Sequence, residues 1–285
     1  MNQFEFNKYQ GNGNDFIIID SRENNKYDEL ISNNFFDIKK LCDRNFGIGA
    51  DGIIFIVDPE FNNDAKMIIF NSDSSEAEMC GNGIRCLVEY LNNQDKGNQK
   101  CEYKIETKSG LKLAYYKSGQ ISVNMGKPVL KKELIPTTIN NYFNEIPNSN
   151  FNYKNFNSVG YAVGMGNPHL IFFVDDLSLI SHEELGPVFE NSTFFPEKTN
   201  VHFCKIINEE KIIVKVWERG AGSTLACGTG ACAVHVAARS LSKCKSKTSI
   251  NLPGGELIIQ WENINDEVTM TGTAENVFSG FYSFS

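Results

Sequence analysis

The amino-acid sequence predicts a mixed fold of the α/β (α+β) class, built as two similar domains. The chain has 285 residues, about twice the ~150 residues of a typical domain. Its apolar residues fall mainly into short alternating or β-branched runs bounded by turn residues, which is typical of strands. Two glycine-opened segments with helical apolar spacing interrupt these runs, so each half should carry one well-marked helix.

An internal repeat supports the division into two domains. Cys80 and Cys227 each open a Cys-Gly-x-Gly loop, and the segments around them match in the same order at offsets of 145–153 residues. This period is far too long for a solenoid, so it indicates duplication of a whole domain. The matching pairs are GNGNDFIIID (11–20) with GMGNPHLIFFVDD (164–176), KMIIFNSDSSEAEMCGNG (66–83) with IIVKVWERGAGSTLACGTG (212–230), IETKSGLKL (105–113) with INLPGGELI (250–258), and VNMG (123–126) with TMTG (269–272).

The repeat sets the expected domain boundaries. Residues 1–126 together with 273–285 should form the first half, and residues 127–272 the second. The C-terminal segment is expected to return and pair with the first half. We expect each half to be a strand-rich sheet or barrel around its central helix, with the functional site in the cleft between two halves related by a pseudo-two-fold axis.

Individual elements follow from the same patterns. Strands are predicted at 16–20, 53–57, 67–70, 111–116, 121–125, 171–174, 212–217, 257–261 and 267–270. Further helices are expected near 36–44 and, more weakly, near 179–189. Segment 140–157 contains eight asparagines, so it should be a surface loop or a connection within the second half.

Composition and charge exclude several classes of function. Lys and Arg number 27 against 35 Asp and Glu, which gives a net charge of −8, so no nucleic-acid or anionic membrane partner is expected. No apolar run approaches the ~18–20 residues of a membrane span. The first residues lack a basic region followed by an apolar one, so no signal peptide is predicted. We therefore expect a cytoplasmic protein whose cysteines are free thiols.

The eight cysteines contain no Cys-x-x-Cys pair, so neither a zinc ribbon nor a thioredoxin-type redox site is supported. Cys80 and Cys227 stand apart from the other six because each directly precedes a predicted helix. A helix N-terminus stabilises anions. A thiol placed there is expected to have a lowered pKa and to act as a base near neutral pH.

Two equivalent thiols suggest inversion of a stereocentre. Such a reaction needs a base on one face of the carbon and an acid on the other, and a thiolate with a thiol supplies both. No cofactor is then required, and none is predicted. The sequence shows neither a P-loop nor a Rossmann fingerprint, and its early GNG (11–13) leaves almost no room before it for a strand.

The chain resembles the diaminopimelate epimerase family over essentially its whole length. The segments that carry this resemblance are GNGNDF (11–16), GIGADG (47–52), FNSDSSEAEMCGNG (70–83), MGNPH (165–169), TNVHF (199–203), WERGAGSTLACGTG (217–230), NLPGGEL (251–257) and MTGTA (270–274). The resemblance implies an isomerase that acts without pyridoxal phosphate, interconverting LL- and meso-2,6-diaminopimelate for lysine and peptidoglycan precursor synthesis. It also favours a homodimer that takes a small amino-acid substrate.

The resemblance assigns roles residue by residue. It implies that Cys80 and Cys227 are the catalytic acid/base pair, Cys80 taking the proton from the LL isomer and Cys227 from the meso isomer. His169 and Glu218 match positions that tune the thiols or hold the reacting ammonium. No metal ligand is implied. The substrate-binding positions are Asn14, Asn71, Gly81, Asn82, Asn167, Asn200, Glu218, Arg219, Gly228 and Thr229, with Arg219 suited to bidentate pairing with the far carboxylate.

Two other functions compete with this one. Proline racemases and hydroxyproline epimerases share the two-cysteine plan, but they usually carry His where this chain has Asn82. A thiol-based redox or metal-binding protein is the alternative from another class, and the lack of any Cys-x-x-Cys counts against it. The chain departs from many family members at Gly52, Ser74 and Ser223, which affects the loops and leaves the catalytic set intact.

Overall fold

The computed structural model describes residues 3–22, 26–32, 36–94 and 100–283. The chain divides into two compact units, Met1–Val123 with Gly272–Ser285, and Asn124–Thr271. The strands are β1 (Gln3–Gly11), β2 (Asn14–Asp20), β3 (Gly52–Val57), β4 (Ala65–Asn71), β5 (Glu76–Ala77), β6 (Glu102–Thr107), β7 (Gly110–Lys117), β8 (Gln120–Asn124), β9 (Asn141–Phe143), β10 (Ile146–Tyr153), β11 (Phe156–Gly164), β12 (Pro168–Phe173), β13 (Asn200–Asn208), β14 (Lys211–Glu218), β15 (Gly222–Ser223), β16 (Lys247–Leu252), β17 (Gly255–Gln260), β18 (Thr269–Gly272) and β19 (Glu275–Ser283). The α-helices are α1 (Lys26–Ser32), α2 (Ile38–Cys42), α3 (Gly81–Gln94), α4 (His182–Glu190) and α5 (Gly228–Ser240).

The first unit is a mixed sheet in the order β19-β1-β2-β3-β4-β6-β7-β8, with the short β5 also paired to β4. Among the described strands of this unit, only β2–β3 and β4–β6 pair in parallel. Parallel neighbours need a crossover segment, and α1 with α2 occupies the first crossover while α3 occupies the second. As the sequence predicts, the C-terminal strand returns to pair with β1.

The apolar run of β3 explains how this unit builds two core layers. Ile53 and Phe55 pack on the side of α2, in a cluster that includes Leu41. Ile54 faces the other way, toward the first turn of α3 at Gly83. A strand covered on both faces reads as a continuous apolar run rather than an alternating one, which is what GIIFIV shows.

The second unit repeats this pairing scheme. Its sheet runs β9-β10-β11-β12-β13-β14-β16-β17-β18, with β15 on β14, and only β12–β13 and β14–β16 are parallel. Helix α4 lies in the first crossover and α5 in the second. An aromatic cluster of Phe151, Phe156, Phe172, Phe189 and Phe203 fills the layer beneath α4.

The predicted fold class is therefore confirmed: the structure is a sheet-rich α+β fold with a duplicated pairing order. The helical spacing predicted after each Cys-Gly-x-Gly loop is also confirmed, since Ile84, Leu87 and Val88 of α3 and Val234 of α5 are fully buried. Of the two forms expected for each half, the open sheet is the one observed, because no pairing among the described strands closes either sheet into a barrel.

Two local predictions are wrong. The segment before the early GNG is the nine-residue strand β1, which pairs with β19 and β2 and places Phe4 and Phe6 in the core. The GNG itself is a hairpin turn, with Gly11 opposite Asn14 and Gly13 at φ +79°. A strand rather than a helix follows it, and this excludes a Rossmann loop there.

The asparagine-rich segment 140–157 is not a loop but contains β9, β10 and the start of β11. Its asparagines occupy mainly the exposed positions, whereas Ile146 and Phe151 are buried. The alternation is therefore that of a half-buried antiparallel strand, hidden in the sequence by a residue type more typical of turns.

A partly buried ion cluster connects β1 and β2 to the loop that leads into β3. Lys8 is buried, and its ammonium lies 2.8 Å from the Asp15 carboxylate and donates to the carbonyl of Gly49. Arg44 donates to both Asp15 oxygens, at 2.9 and 2.8 Å, and to Asp51 at 2.7 Å. Burial alone would raise the pKa of Asp15, but the hydrogen bonds and charges of Arg44 and Lys8 lower it to about 2.

Asp15→Asn should reduce the free energy of unfolding at pH 7 by about 1–2 kcal/mol, allowing for solvent screening at the exposed Arg44. The carboxylate has a lower pKa folded than the ~3.9 expected unfolded. Its stabilisation is therefore complete above about pH 4 and is lost as the pH falls through about 2. Urea unfolding of wild type and variant should show a difference that shrinks from pH 7 to about pH 2.5.

A matched control is Glu102→Gln, which breaks an exposed pair with a 3.9 Å separation from Lys104. It should change stability by less than about 0.5 kcal/mol at either pH. Equal stability of Asp15→Asn and wild type at pH 7 would contradict the assignment.

Candidate active site

Cys80 in the first unit directly precedes α3. The amide of Ile84 donates to the Cys80 carbonyl at 2.9 Å, which closes the first helical turn. The amide of Gly83 donates to the Cys80 Sγ at 3.4 Å. A Cβ at residue 83 would lie 3.1 Å from Ile54 and 3.4 Å from the Cβ of Cys80. Glycine here lets the thiol and β3 approach the helix N-terminus, where backbone N–H groups favour negative charge.

Asparagine side chains surround the Cys80 thiol. Its Sγ lies 3.8 Å from the Asn14 Oδ1, which also accepts from the Asn82 Nδ2 at 3.2 Å. The Asn14 Nδ2 donates to Asp51 at 2.8 Å. Asp51 therefore fixes the orientation of the Asn14 amide, so that its oxygen faces Cys80 and Asn82.

Arg85 supports this cluster and was missed by the sequence analysis. It is fully buried, and its guanidinium donates to Asn82 Oδ1 at 2.9 Å, to Asn12 Oδ1 at 2.6 Å and to the Thr273 carbonyl at 3.1 Å. Isolated charged residues in a helix are mostly exposed. The signal that could have revealed it is its place three residues after Asn82, between the buried Ile84 and Cys86.

Asn71, Gly52 and Ser223 lie at the ends of strands, and Ser74 lies in a turn. Asn71 is at the exposed end of β4 and donates to Ser75 at 2.9 Å. Ser74 has φ +73° in the turn that follows. A Cβ at Gly52 would lie 2.4 Å from the Phe70 carbonyl oxygen, so this chain has no room for a side chain there. Ser223, in the second unit, hydrogen-bonds His182 at 2.9 Å.

Cys227 in the second unit is the N-cap residue of α5, and the amide of Ala231 donates to its carbonyl at 2.9 Å. Its Sγ lies 3.6 Å from the Thr229 Oγ1. The expected lowering of its pKa is wrong. Burial raises the pKa of Cys227 well above its usual value and the Glu218 carboxylate adds to this, outweighing the hydrogen bonds from Thr229 and the Gly230 amide. The loop places Cys227 in this structure as a protonated thiol.

His169 on β12 joins two other groups in a hydrogen-bonded chain. Its Nε2 is 2.7 Å from the Asn167 Oδ1, and its Nδ1 is 2.9 Å from the Nε2 of His202 on β13. Burial lowers the pKa of His169 well below its usual value, with further lowering by His202 and Arg219. Burial lowers the pKa of His202 to about 3. Both rings are therefore neutral near pH 7.

Asn200 and Glu218 order the loop that carries Arg219. The Asn200 Nδ2 donates to the Pro168 carbonyl at 2.9 Å, and its Oδ1 accepts from the Arg219 amide at 3.0 Å. The Arg219 guanidinium donates to the Glu197 carbonyl at 2.9 Å. Glu218 accepts from Thr224 at 2.5 Å, and its charge contributes to the raised pKa of Cys227.

The second unit also gathers donor atoms that could hold a metal. Ligand atoms of His169, His202 and Cys227 lie within 4.8 Å of one another, and all three residues are buried. Two imidazoles and a thiolate are ligands that Zn²⁺ accepts. In this structure the two rings hydrogen-bond to each other instead, and the absence of a metal remains a prediction.

None of the helices in the described ranges has the length and apolar character that a membrane crossing requires.

Solved structures with low sequence identity share this fold. A phenazine biosynthesis protein of the PhzF family from Bacillus anthracis is 15% identical, with a TM-score of 0.68 and coverage of 99% of both chains. A hydroxyproline epimerase from Agrobacterium vitis is 12% identical, with a TM-score of 0.69, covering 99% of this chain and 92% of that one. At these identities the likeness concerns the fold alone.

Sequence relatives are much more similar. A diaminopimelate epimerase of Prochlorococcus marinus strain NATL2A is 50% identical over 277 residues, 96% of this chain and 97% of that protein. A diaminopimelate epimerase of Carboxydothermus hydrogenoformans is 45% identical over 281 residues, 98% of this chain and 99% of that protein. The family model of diaminopimelate epimerase matches residues 6–131 and 161–277. The chain therefore belongs to the diaminopimelate epimerase family.

Proposed function

We propose that the chain interconverts LL- and meso-2,6-diaminopimelate by a two-base reaction, in which one of Cys80 and Cys227 removes the α-proton as a thiolate and the other, as a thiol, delivers its own proton to the opposite face of the carbon. One observation carries the proposal: each unit places a cysteine at the N-terminus of its central helix, through the same loop and the same pairing order of strands. Relatives named diaminopimelate epimerase at 44–50% identity over nearly the whole chain support this substrate.

A two-base reaction needs one thiolate and one thiol. With the LL isomer, the Cys80 thiolate removes the α-proton and Cys227 delivers its own proton to the opposite face of the carbon. The raised pKa of Cys227 supports its role as the acid in this direction. In the reverse direction, Cys227 is the base and Cys80 the acid, so the two residues exchange their roles.

The helix N-termini are suited to hold the reacting α-carboxylate. Gly81 and Asn82 begin α3, and Gly228 and Thr229 begin α5, so both openings present backbone N–H groups without helical partners. These groups would also stabilise the negative charge that develops as the α-proton leaves. Because Gly81 and Gly228 have no side chain, a carboxylate can approach these backbone N–H groups closely.

We assign the remaining contacts to the unreacting end of the substrate and its ammonium groups. Asn14, Asn71, Asn167 and Asn200 offer amide groups, and Arg219 offers a planar fork for the far carboxylate. Glu218 and His169 lie beside Cys227 and adjust its proton affinity or hold the reacting ammonium.

The competing substrates are less well supported. The hydroxyproline epimerase and the proline racemase among the solved structures are 12–13% identical to this chain, against 44–50% for the diaminopimelate epimerases. Proline also has no second carboxylate for Arg219. We therefore place the enzyme in lysine and peptidoglycan precursor synthesis, in the cytoplasm.

Cys80→Ala and Cys227→Ala should each lower the rate of epimerisation at least about 10³-fold, because proton transfer loses its acid or its base. The assay follows deuterium incorporation at the α-carbon of LL- or meso-diaminopimelate in D₂O by proton NMR. The matched control is Cys101→Ala, which removes an exposed free thiol and should leave the rate within about twofold. Wild-type exchange in the Cys80→Ala, Cys227→Ala double variant would overturn the proposal.

Arg219→Met should raise the KM for diaminopimelate about 100-fold or more with a smaller effect on kcat, since the far carboxylate loses a bidentate partner. Arg219→Lys keeps the positive charge but loses the planar guanidinium, so its KM should lie between those of the wild type and Arg219→Met. Steady-state kinetics with diaminopimelate and with L-proline measure both effects. Racemisation of L-proline by the wild type, unaffected by either variant, would favour the alternative substrate instead.

We also propose a homodimer, which the family resemblance favours. Sedimentation equilibrium of the purified chain, whose protomer mass is 32.0 kDa, should give about 64 kDa. A mass that stays at one protomer up to about 50 μM would contradict a dimer of ordinary affinity.

A further inference from the structure

His202 is a buried histidine with no part in the mechanism above. It lies on β13, two residues after Asn200, and no part of its side chain is exposed. Its Nε2 meets the His169 Nδ1 at 2.9 Å, and its Nδ1 has no hydrogen-bond partner among the described residues. Among the described residues, the contact with His169 is therefore the one hydrogen bond that the His202 side chain makes.

We propose that His202 is a positioning residue that fixes the tautomer of His169 and, through it, the orientation of the Asn167 amide. The inference deepens the proposed function, because it concerns the substrate contact assigned to Asn167. His202 itself contacts neither the substrate nor the transferred proton in this proposal.

The proton positions follow from the chemistry of the three groups. The Asn167 Oδ1 can only accept, so the neutral His169 must carry its proton on Nε2 and donate to it. The His169 Nδ1 is then an acceptor, and His202 must donate to it from Nε2. Since the Asn167 oxygen is occupied by His169, the amide presents its NH₂ group on the other side, as a donor suited to a carboxylate.

The ring of His202 also lies against the Cys227 loop. A Cβ at Gly230 would lie 2.3 Å from the His202 Cε1, 2.8 Å from its Nε2 and 3.0 Å from the Cys227 Sγ. Only a glycine leaves space for an imidazole beside the thiol. The second glycine of this Cys-Gly-x-Gly loop and the position of His202 therefore depend on each other.

In the first unit, the position equivalent to His202 is occupied by the apolar residue Ile54. On β3, Ile54 is opposite Ile18 of the parallel neighbour β2, as His202 on β13 is opposite Ile171 of β12. The loop glycine Gly83 packs on Ile54 as Gly230 packs on His202. The fold therefore needs only an apolar side chain here, and the second unit has a hydrogen-bond donor in its place.

The test compares two substitutions of His202. His202→Ile installs the residue that the chain uses at the equivalent place, which keeps the strand and the packing but removes the donor. His202→Gln keeps a donor, because its amide nitrogen is as many bonds from Cβ as the imidazole Nε2. Ile56→Val, two residues further along β3 in the other unit and also fully buried, is the control for a small packing change and should keep kcat and KM within about twofold.

We expect His202→Ile to lower kcat/KM for diaminopimelate about 10- to 100-fold, the range for residues that orient functional histidines. The rise in KM should exceed the fall in kcat, because the chain of hydrogen bonds ends at a substrate-binding amide. His202→Gln should recover at least about one third of the lost kcat/KM. Long-range ¹H–¹⁵N NMR of the histidine rings should show His169 protonated on Nε2 in wild type and as a mixture of tautomers in His202→Ile.

Wild-type kinetics in His202→Ile would overturn the inference. So would equal impairment of His202→Gln and His202→Ile, which would indicate packing alone. An Nδ1-protonated His169 in the wild type would contradict the assigned tautomer. Failure of the proposed function is distinguishable, because it would appear as an inactive wild type, whereas the NMR measurement reports the tautomer whether or not diaminopimelate is the substrate.

Discussion

Close packing at two glycines is the constraint on which the rest of the structure depends. Gly83 and Gly230 lie in the first turns of the buried helices α3 and α5, each against a strand side chain, and a Cβ would lie 3.1 Å from Ile54 at the first position and 2.3 Å from His202 at the second. This contact seats the helix N-terminus on the sheet and holds Cys80 or Cys227 at that end. A larger residue at position 230 would push α5 from the strand and displace the Cys227 thiol together with the backbone N–H groups.

The same scaffold gives the two thiols different surroundings. Around Cys80 the groups are amides held by charged residues, with Arg85 bonded to Asn82 and Asp51 bonded to Asn14. Around Cys227 they are neutral imidazoles and a carboxylate, and the thiol is fully buried. The strand pairing is duplicated, whereas the side chains around the two thiols differ.

Hydrogen-bonded chains rather than single contacts set the orientation of the functional side chains. Asn14 is oriented by Asp51, which is itself bonded to Arg44, and Asn167 is oriented by His169. Amides are ambiguous groups, since either end can face a ligand. The Asp51 carboxylate can only accept, so the orientation of the Asn14 amide is set before a substrate binds.

The sequence by itself determined the features that depend on residues close together in the chain. Glycine next to cysteine, followed by helical apolar spacing, located both thiols and both central helices, and the repeat revealed two similar units. Tertiary structure alone decided what surrounds each thiol. Arg85 gives only its spacing from Asn82 as a local signal and His202 gives none, because their other partners come from segments distant in sequence. The pKa of Cys227 likewise rises through desolvation and the charge of Glu218, effects that outweigh the helix N-terminus and exist only once the chain has packed.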